Sequence, residues 1–600
     1  MNLLGSLIHS TATKFRHRLS DFDALPQLTL LGIIIGFSAG GLIVLFRYSI
    51  EVPLAYILSG NIENFEGLGP LWRFCLPLTG ALIIASGLHY LQEKDRNVSI
   101  GHVLERLHNF QGRMPITNLI VQFVGGAISL ITGQSAGREG PAVHLGASIS
   151  SLIGQWLKLP NNSLSTLIGC GVAAAIAASF NTPVAGVIFA MEVVLMSYTI
   201  TGFIPIMIAS VCGALITRAA FGTEVFLTVD NAELHGFLEI PFMVIAGLVI
   251  ALFATLYMRL QLGFNRFTHY PIFLRVMAAG LLTSIIGLFI PEILGLGYDT
   301  INLSLEGKIS FSLLLAIALA KILTTSFSIS MGIPGGLIGP QLFIGACIGG
   351  MIGIVGNTFF PESITDSGIY VLLGMAAMMG AVLNAPLAAL MAVLELTYSP
   401  GIIFPSMLII VIACVVTRQL YKCDGIFVEQ LNLIGTTLES GPLQQMLGNI
   451  GVRSAMKTAF IESPKTINLK TAKILLSNNP IWILIKTEEE QTLLRAADLA
   501  IALKLFEEDQ KKITAETKPE ENIDELNANK IYIHTFDLSE IPAQRLDLAP
   551  ITELSSLFEA KKLLDKKLGS ALYVTPQIQV TPEPKAIGII TQETISNYYM

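Results

Sequence analysis

The stretch GREGPAVHLGASI at residues 137–149 returns, about 200 residues later, as GLIGPQLFIGACI at 336–348. Small residues and proline hold the same places in both: Gly137 and Gly336, Gly140 and Gly339, Pro141 and Pro340, Gly146 and Gly345, Ala147 and Ala346, with Ile149 matching Ile348. A second pair follows at a similar offset. NTPVAGVIFAMEVV (181–194) and NAPLAALMAVLELT (384–397) share Asn, Pro, Ala and Glu at matching positions. Two similar halves, each with a Gly-rich break opening a helix, predict a repeat-built membrane fold with its site between the repeats.

The composition agrees with a membrane location. The 600 residues are 52% hydrophobic and only 14% charged, against about 25% charged in soluble chains. Residues 451–600 hold 39 of the chain's 81 Lys, Arg, Asp and Glu side chains, which predicts a membrane domain followed by a soluble tail. A net charge of -7 argues against a nucleic-acid partner. The six cysteines lie in or beside apolar segments without paired spacing, so they read as small packing residues, not disulfides or zinc ligands. Lys14, Arg16 and Arg18 precede the first apolar segment and place the N-terminus in the cytoplasm, and no cleavable signal peptide is expected.

Apolar segments recur from residue 29 to 418, and several fall short of the ~20 residues that span the hydrocarbon. Many are interrupted by Gly or Pro, as expected where backbone opens onto an internal cavity. The tail alternates strand candidates, IWILIK (481–486) and IYIHTF (531–536), with helical patterns such as SLFEAKKLLDKK (556–567). It predicts a small α/β module in two copies, with the acidic run 507–529 as a solvated loop.

Arg138 and Glu139 stand between two apolar stretches, where a charge costs a few kcal/mol and faces a polar cavity or a partner. The helix opening near Pro141 presents free N–H groups carrying roughly half a positive charge, which attract anions. The turn 335–340 supplies a second such terminus without an acidic side chain. Glu139 therefore reads either as a captive anion competing with a permeant one, able to take up a proton and leave, or as a helix cap paired with Arg138. Glu192 and Glu395 recur in both halves and read as structural residues, capping a helix end or pairing locally, with Glu192 as a substitute proton relay the alternative. Lys321 reads as a pairing or snorkelling residue. His102 and His144 read as satisfied structural histidines, with pH sensing as the alternative.

GREGP resembles the second signature of the CLC family of chloride channels and proton/chloride antiporters. GIPGGLIGPQLFIGA (332–346) resembles its third signature, AASFNTPVAGVIFAMEVV and MMGAVLNAPLAALMAVLELT the two helices that follow, and DGIFVEQL (424–431) the segment lining the inner mouth. The resemblance spans about 30–435. It implies an all-α polytopic membrane protein with inverted repeats and broken helices, working as a homodimer with one pore per subunit. It implies Glu139 as the gating and proton-carrying residue, Arg138 and Gly140 in an anion-binding turn, and the amides of Leu337 and Ile338 on the central anion. The tail resembles the family's paired CBS modules.

Three positions depart from the family pattern. The first signature is degenerate as NVSIGHVLE (97–105), so its anion-contacting Ser falls on Val98 or Ser99. The inner-gate Tyr falls on Phe427. The inner proton-relay Glu falls on Val193, directly after Glu192; the family's channels lack that Glu, and so do some of its bacterial antiporters. In the tail, Asp498 is kept but Arg495 replaces the nucleotide-binding hydroxyl, while Thr591 is kept but Thr594 replaces Asp.

The expected organisation is a cytoplasmic segment 1–28, a transport domain 29–436 with repeats at about 29–220 and 240–436, and a cytoplasmic CBS-like pair 446–600. The expected activity is proton-coupled chloride transport across the inner (plasma) membrane, with a passive voltage- or pH-gated channel as the alternative. The expected partners are chloride, protons, the lipid bilayer and a second copy of the chain. No metal or cofactor is expected, apart from an adenosine nucleotide as a possible ligand of the tail. A membrane-embedded enzyme is disfavoured, because no His-Glu-x-x-His or matched Cys/His set is present.

Overall fold

The structure, a computed structural model, describes residues 24–58, 63–222, 239–359, 367–435, 442–448, 450–486, 491–516, 535–566, 569–576 and 586–598. The segment 1–28 thus lies almost wholly outside the described residues. The chain divides into two compact units: a helical one over Leu25–Lys158 and Leu164–Glu439, and a smaller one over Ser440–Met600 that also takes in Leu159–Ser163.

The first repeat of the helical unit contains α1 (Leu25–Ile57), α2 (Pro70–Tyr90), α3 (Ile100–Asn109), α4 (Ile116–Ile131), α5 (Glu139–Trp156), α6 (Asn161–Phe180), α7 (Pro183–Phe189) and α8 (Ile200–Phe221). The second contains α9 (Glu239–Phe264), α10 (Ile272–Phe289), α11 (Tyr298–Leu305), α12 (Phe311–Met331), α13 (Ile338–Phe359), α14 (Ser367–Leu383), α15 (Pro386–Thr397), α16 (Ile403–Val415) and α17 (Ile426–Leu433). Nine helices among the described residues are long and apolar enough to cross a membrane. With 33 residues, α1 is about 50 Å long at 1.5 Å per residue, well over the ~30 Å hydrocarbon thickness, so it crosses at a tilt.

Helices do not gain from hydrophobic contact in lipid, so close backbone approach must hold them together. Gly32, Gly36 and Gly40 form a stripe on α1 that meets Pro205, Ala209 and Gly213 of α8. A Cβ at Gly32 would lie 2.7 Å from the Pro205 carbonyl oxygen, and one at Gly36 2.6 Å from that of Ala209. The repeats also reproduce each other's packing. Gly146 of α5 presses on Gly171 of α6, and Gly345 of α13 presses in the same way on Gly374 of α14.

The smaller unit carries a six-stranded sheet, ordered β1 (Phe460–Pro464), β3 (Trp482–Lys486), β4 (Gln491–Arg495), β6 (Leu546–Thr552), β7 (Ala571–Thr575) and β8 (Gly588–Thr591). β1 pairs parallel with β3, and β3 antiparallel with β4; β6 pairs parallel with β7, and β7 antiparallel with β8. The same three-strand pattern thus occurs twice, joined by the antiparallel pair β4–β6. The copies exchange flanking segments. Leu447, Ile450, Val452 and Ala455, which precede the first copy, enter the core of the second. Strand β5 (Thr535–Asp537) pairs with β2 (Thr466–Asn468), and Leu538 and Ile541 enter the first copy's core. This arrangement fits a CBS-like pair.

One expectation is corrected here. The acidic run from 507 begins inside a helix spanning Ala496–Glu516, not a loop. Its Glu, Lys and Gln residues are good helix formers, and that propensity prevails over the polarity. Residues 517–534, including the first four of the 531–536 strand candidate, lie outside the described residues.

Candidate functional site

The two Gly-rich turns that the sequence matched to each other meet in space. The Gly137 amide donates to the Gly336 carbonyl at 2.9 Å, and the Gly336 amide returns a bond to the Gly137 carbonyl at 2.8 Å. Reciprocal bonds between equivalent residues place a local two-fold axis between the repeats. Only glycine fits there, since a Cβ at Gly140 would overlap the Gly336 Cα, and one at Gly336 the Gly140 nitrogen.

Glu139 opens α5 and is fully buried. Its Oε2 accepts from the Gly339 amide at 2.9 Å, so the carboxylate lies on the N-terminus of α13, the second repeat's helix. Gly339 leaves it room: a Cβ there would sit 2.7 Å from Oε2. Its Oε1 accepts from the Tyr298 hydroxyl at 3.4 Å. A helix start leaves its first N–H groups without intrahelical partners. Among the described residues, no protein acceptor takes the amides of Leu337 or Ile338 beside it.

A cavity of ≈ 1010 Å³ reaches this point. Val98, Ser99, Gly140, Leu337 and Phe427 all line it, so positions distant in sequence converge. Ser99 is the N-cap of α3, its hydroxyl oxygen accepting from the His102 amide at 3.2 Å. Arg96, Arg259, Arg266 and Arg275 line the walls against Glu93 and Glu105, which makes the cavity net positive.

Arg138 is the N-cap residue of α5, with partners on α1 and α11. Its guanidinium approaches Glu51 at 3.6 Å and stands over the Tyr298 ring at 5.5 Å, and it is not among the cavity-lining residues. Arg47 joins the same Glu51 at 3.0 Å.

Glu192 and Glu395 form a matched pair that spans the repeats. Glu192 accepts from the amides of Leu387 and Ala388 at 3.3 and 2.7 Å, capping α15. Glu395 accepts from those of Val184 and Ala185 at 2.9 and 2.7 Å, capping α7. Val193, one residue on, is buried aliphatic surface in the π-helical turn Ala190–Val194. Lys321 is fully buried, neither snorkelling nor lining the cavity: its amine donates to the carbonyls of Ile293 and Gly295 at 2.8 and 2.9 Å.

His102 and His144 stack with Nδ1 and Nε2 3.0 Å apart. Arg106 Nε donates to His102 Nε2 at 3.1 Å. A guanidinium only donates, so His102 Nε2 is an acceptor and its proton is on Nδ1. That proton goes to His144 Nε2, which leaves the His144 proton on Nδ1, facing Ser148 Oγ at 3.4 Å. Both rings are therefore neutral and satisfied.

Tyr298 was missed from sequence. Its one local signal is the Gly297 before it, held at φ 81° as the N-cap of α11.

Two repeats, helix N-termini brought nose to nose and a charged cavity ending at them define a repeat-built membrane fold with its site where the repeats meet. A sequence model of the voltage gated chloride channel family matches residues 80–418, and the chain belongs to that family. An H(+)/Cl(-) exchange transporter, ClcA, of Salmonella arizonae is 31% identical over 297 residues, 48% of this chain and 63% of that protein. This chain thus matches less than two thirds of that relative's length. The ClcA of Vibrio cholerae is 27% identical over 438 residues, covering 70% of this chain and 92% of the relative. Among solved structures, a slow cyanobacterial Cl-/H+ antiporter superposes with TM-score 0.61 at 22% identity, over 69% of this chain and 99% of that one. A eukaryotic CLC transporter does so with TM-score 0.55 at 16% identity, over 94% of this chain and 97% of that one.

Proposed function

We propose that the protein moves chloride, or a similar small anion, across the membrane in exchange for protons, with Glu139 as gate and proton carrier. The observation that carries this reading is the Glu139 carboxylate seated on the Gly339 amide, beside the open amides of Leu337 and Ile338. A carboxylate and a halide compete for the same positive helix terminus. Protonation removes the carboxylate's charge and its claim on the amide, and the anion takes its place. The net positive cavity supplies anions to that point, and the similarity to H(+)/Cl(-) exchange transporters supports proton coupling.

A passive channel is the second reading, favoured by the aliphatic Val193 and the hydroxyl-free Phe427. Liposome flux with anion and proton recorded together separates the two, because only exchange moves protons against their gradient when anions are driven. Glu139→Gln mimics the protonated carboxyl. It should conduct anions with little pH dependence and without coupled protons. A well-folded variant that keeps wild-type pH dependence and coupling overturns the gate assignment.

The orientation we infer puts the cavity in the cytoplasm of an inner-membrane, multi-pass protein. α1 and α2 cross in opposite senses, which returns Glu93 and Arg96, at the cavity, to the side where α1 begins; the basic N-terminal residues assign that side to the cytoplasm. We propose a cytoplasmic location for the tail as well. A homodimer in the bilayer is the assembly we propose. In the tail, Arg495 pairs with Glu593 at 3.5 Å and Thr591 is engaged with Thr594 in a capping box. These contacts favour a CBS-like regulatory scaffold over a nucleotide site.

A further inference from the structure

We propose that Tyr298 is a positioning residue for the gate: its hydroxyl holds the Glu139 carboxylate in the closed position and sets the pH at which anion flow begins. This rests on the reading of Glu139 as the gate. Tyr298 is the only side chain seen to donate to this carboxylate among the described residues, and it does so from the second repeat, opposite the Gly339 amide. The backbone amide of Glu139 itself also donates to the carboxylate, and the Gly339 amide and the Tyr298 hydroxyl take different oxygens. Gly339 holds the carboxylate at the helix terminus where the anion would bind, and Tyr298 holds the other oxygen on the side of the Arg138–Glu51 pair.

Several contacts restrain the phenol. Gly297, at a φ of 81°, turns the chain into α11, and a side chain there would also strike the Phe343 ring. The Glu63 carboxylate accepts from the amides of Tyr298 and Asp299 at the start of α11. Lys321 ties down the carbonyls of Ile293 and Gly295 in the approach to it, and the Gly295 amide donates to the Gly133 carbonyl at 3.4 Å. The Arg138 guanidinium stands over the ring. A loop held at this many points presents its hydroxyl at one place.

The sign of the effect follows from hydrogen-bond chemistry. A phenol that donates to a carboxylate favours the ionised form, which is the closed gate. The other groups around Glu139 are Arg138 beside it, Glu51 and Arg47 on α1, Glu63 and Asp299 around the start of α11, and Lys321 on α12. Tyr298→Phe leaves all of these in place and removes only the donor. At 3.4 Å the bond is long for a hydroxyl and a carboxylate, so the effect is at the small end, roughly one pH unit.

The test is anion efflux from liposomes of the full-length protein at a series of pH values. Tyr298→Phe should move the midpoint of acid-activated flux upward by roughly one unit. In a Glu139→Gln background the same substitution should change nothing further, since no charge remains to stabilise. An unshifted midpoint, or an equal change of flux in both backgrounds, overturns the proposal, the latter because the phenol would then act elsewhere in the pore. Tyr298→Met also lacks the donor and must shift the midpoint in the same direction; a reconstituted Met variant with a wild-type midpoint overturns the proposal too. A pH-independent Glu139→Gln beside an unshifted Tyr298→Phe removes this proposal alone. A Glu139→Gln with the wild-type profile removes the gate reading and this one with it.

Discussion

Glu63 shows how one residue can tie stability to pH in this protein. It lies in the connection between α1 and α2, and burial pushes its carboxyl up to about 7, against the opposing pull of Arg138. An ordinary glutamate titrates near 4.3. Between those values the folded protein holds a proton that the unfolded chain has released, so stability falls as pH rises toward 7. Glu63→Gln removes that contribution. Thermal unfolding in detergent from pH 5 to 8 should find the wild type losing ground to the variant as pH rises to about 7 and no further beyond it. A constant difference across the range would show that Glu63 is already ionised in the folded protein. Legibility at this scale was uneven. Glu139 stood out because a charge inside an apolar run is costly and so conspicuous. Tyr298 and Glu63 did not, because a lone Tyr after Gly and a Glu in a polar connection carry no periodic signal. What makes them matter is a neighbour 159 residues away for Tyr298, and an amide pair on another element for Glu63.

The broken helices of the two repeats complete one another. Glu192 caps α15 and Glu395 caps α7, each accepting two amides. Losing a capping carboxylate costs about 0.5–2 kcal/mol. Glu192→Gln and Glu395→Gln should therefore lower the unfolding temperature by similar amounts and leave proton coupling alike. If Glu192→Gln alone abolished proton movement while Glu395→Gln did not, Glu192 would be a relay and the symmetry only structural. The repeated Asn-Pro-Ala-Glu spacing made a structural role readable in advance, though not whether it was capping or local pairing. It could not show that each Glu serves the other half's helix, since a sequence match gives equivalence but not pairing. The same gap explains Glu139, whose carboxylate accepts from the Gly339 amide on α13 as well as from its own amide. At the tail, the helix over Ala496–Glu516 was hidden by acidity that a surface helix tolerates.

At the scale of the whole chain, the matched halves and the charge-rich tail were both legible, because they are written in spacing and composition. The way the tail's two copies trade flanking segments was not, since Leu447 and Ile450 look like any apolar residues until the β6–β8 half takes them in. The bridge between Gly137 and Gly336 has a consequence for how the molecule could be made. Each half supplies a carboxylate or a carbonyl that the other half's amides need, so neither is chemically finished alone. A chain cut between residues 222 and 239, and produced as two polypeptides, should yield little stable product from either piece expressed singly. Co-expressed, the pieces should find each other through those shared bonds and co-purify as a complex with restored anion flux. Fragment complementation of this kind is a direct measurement, and stable, separately purifiable halves would show that the turns meet only after each half has already folded.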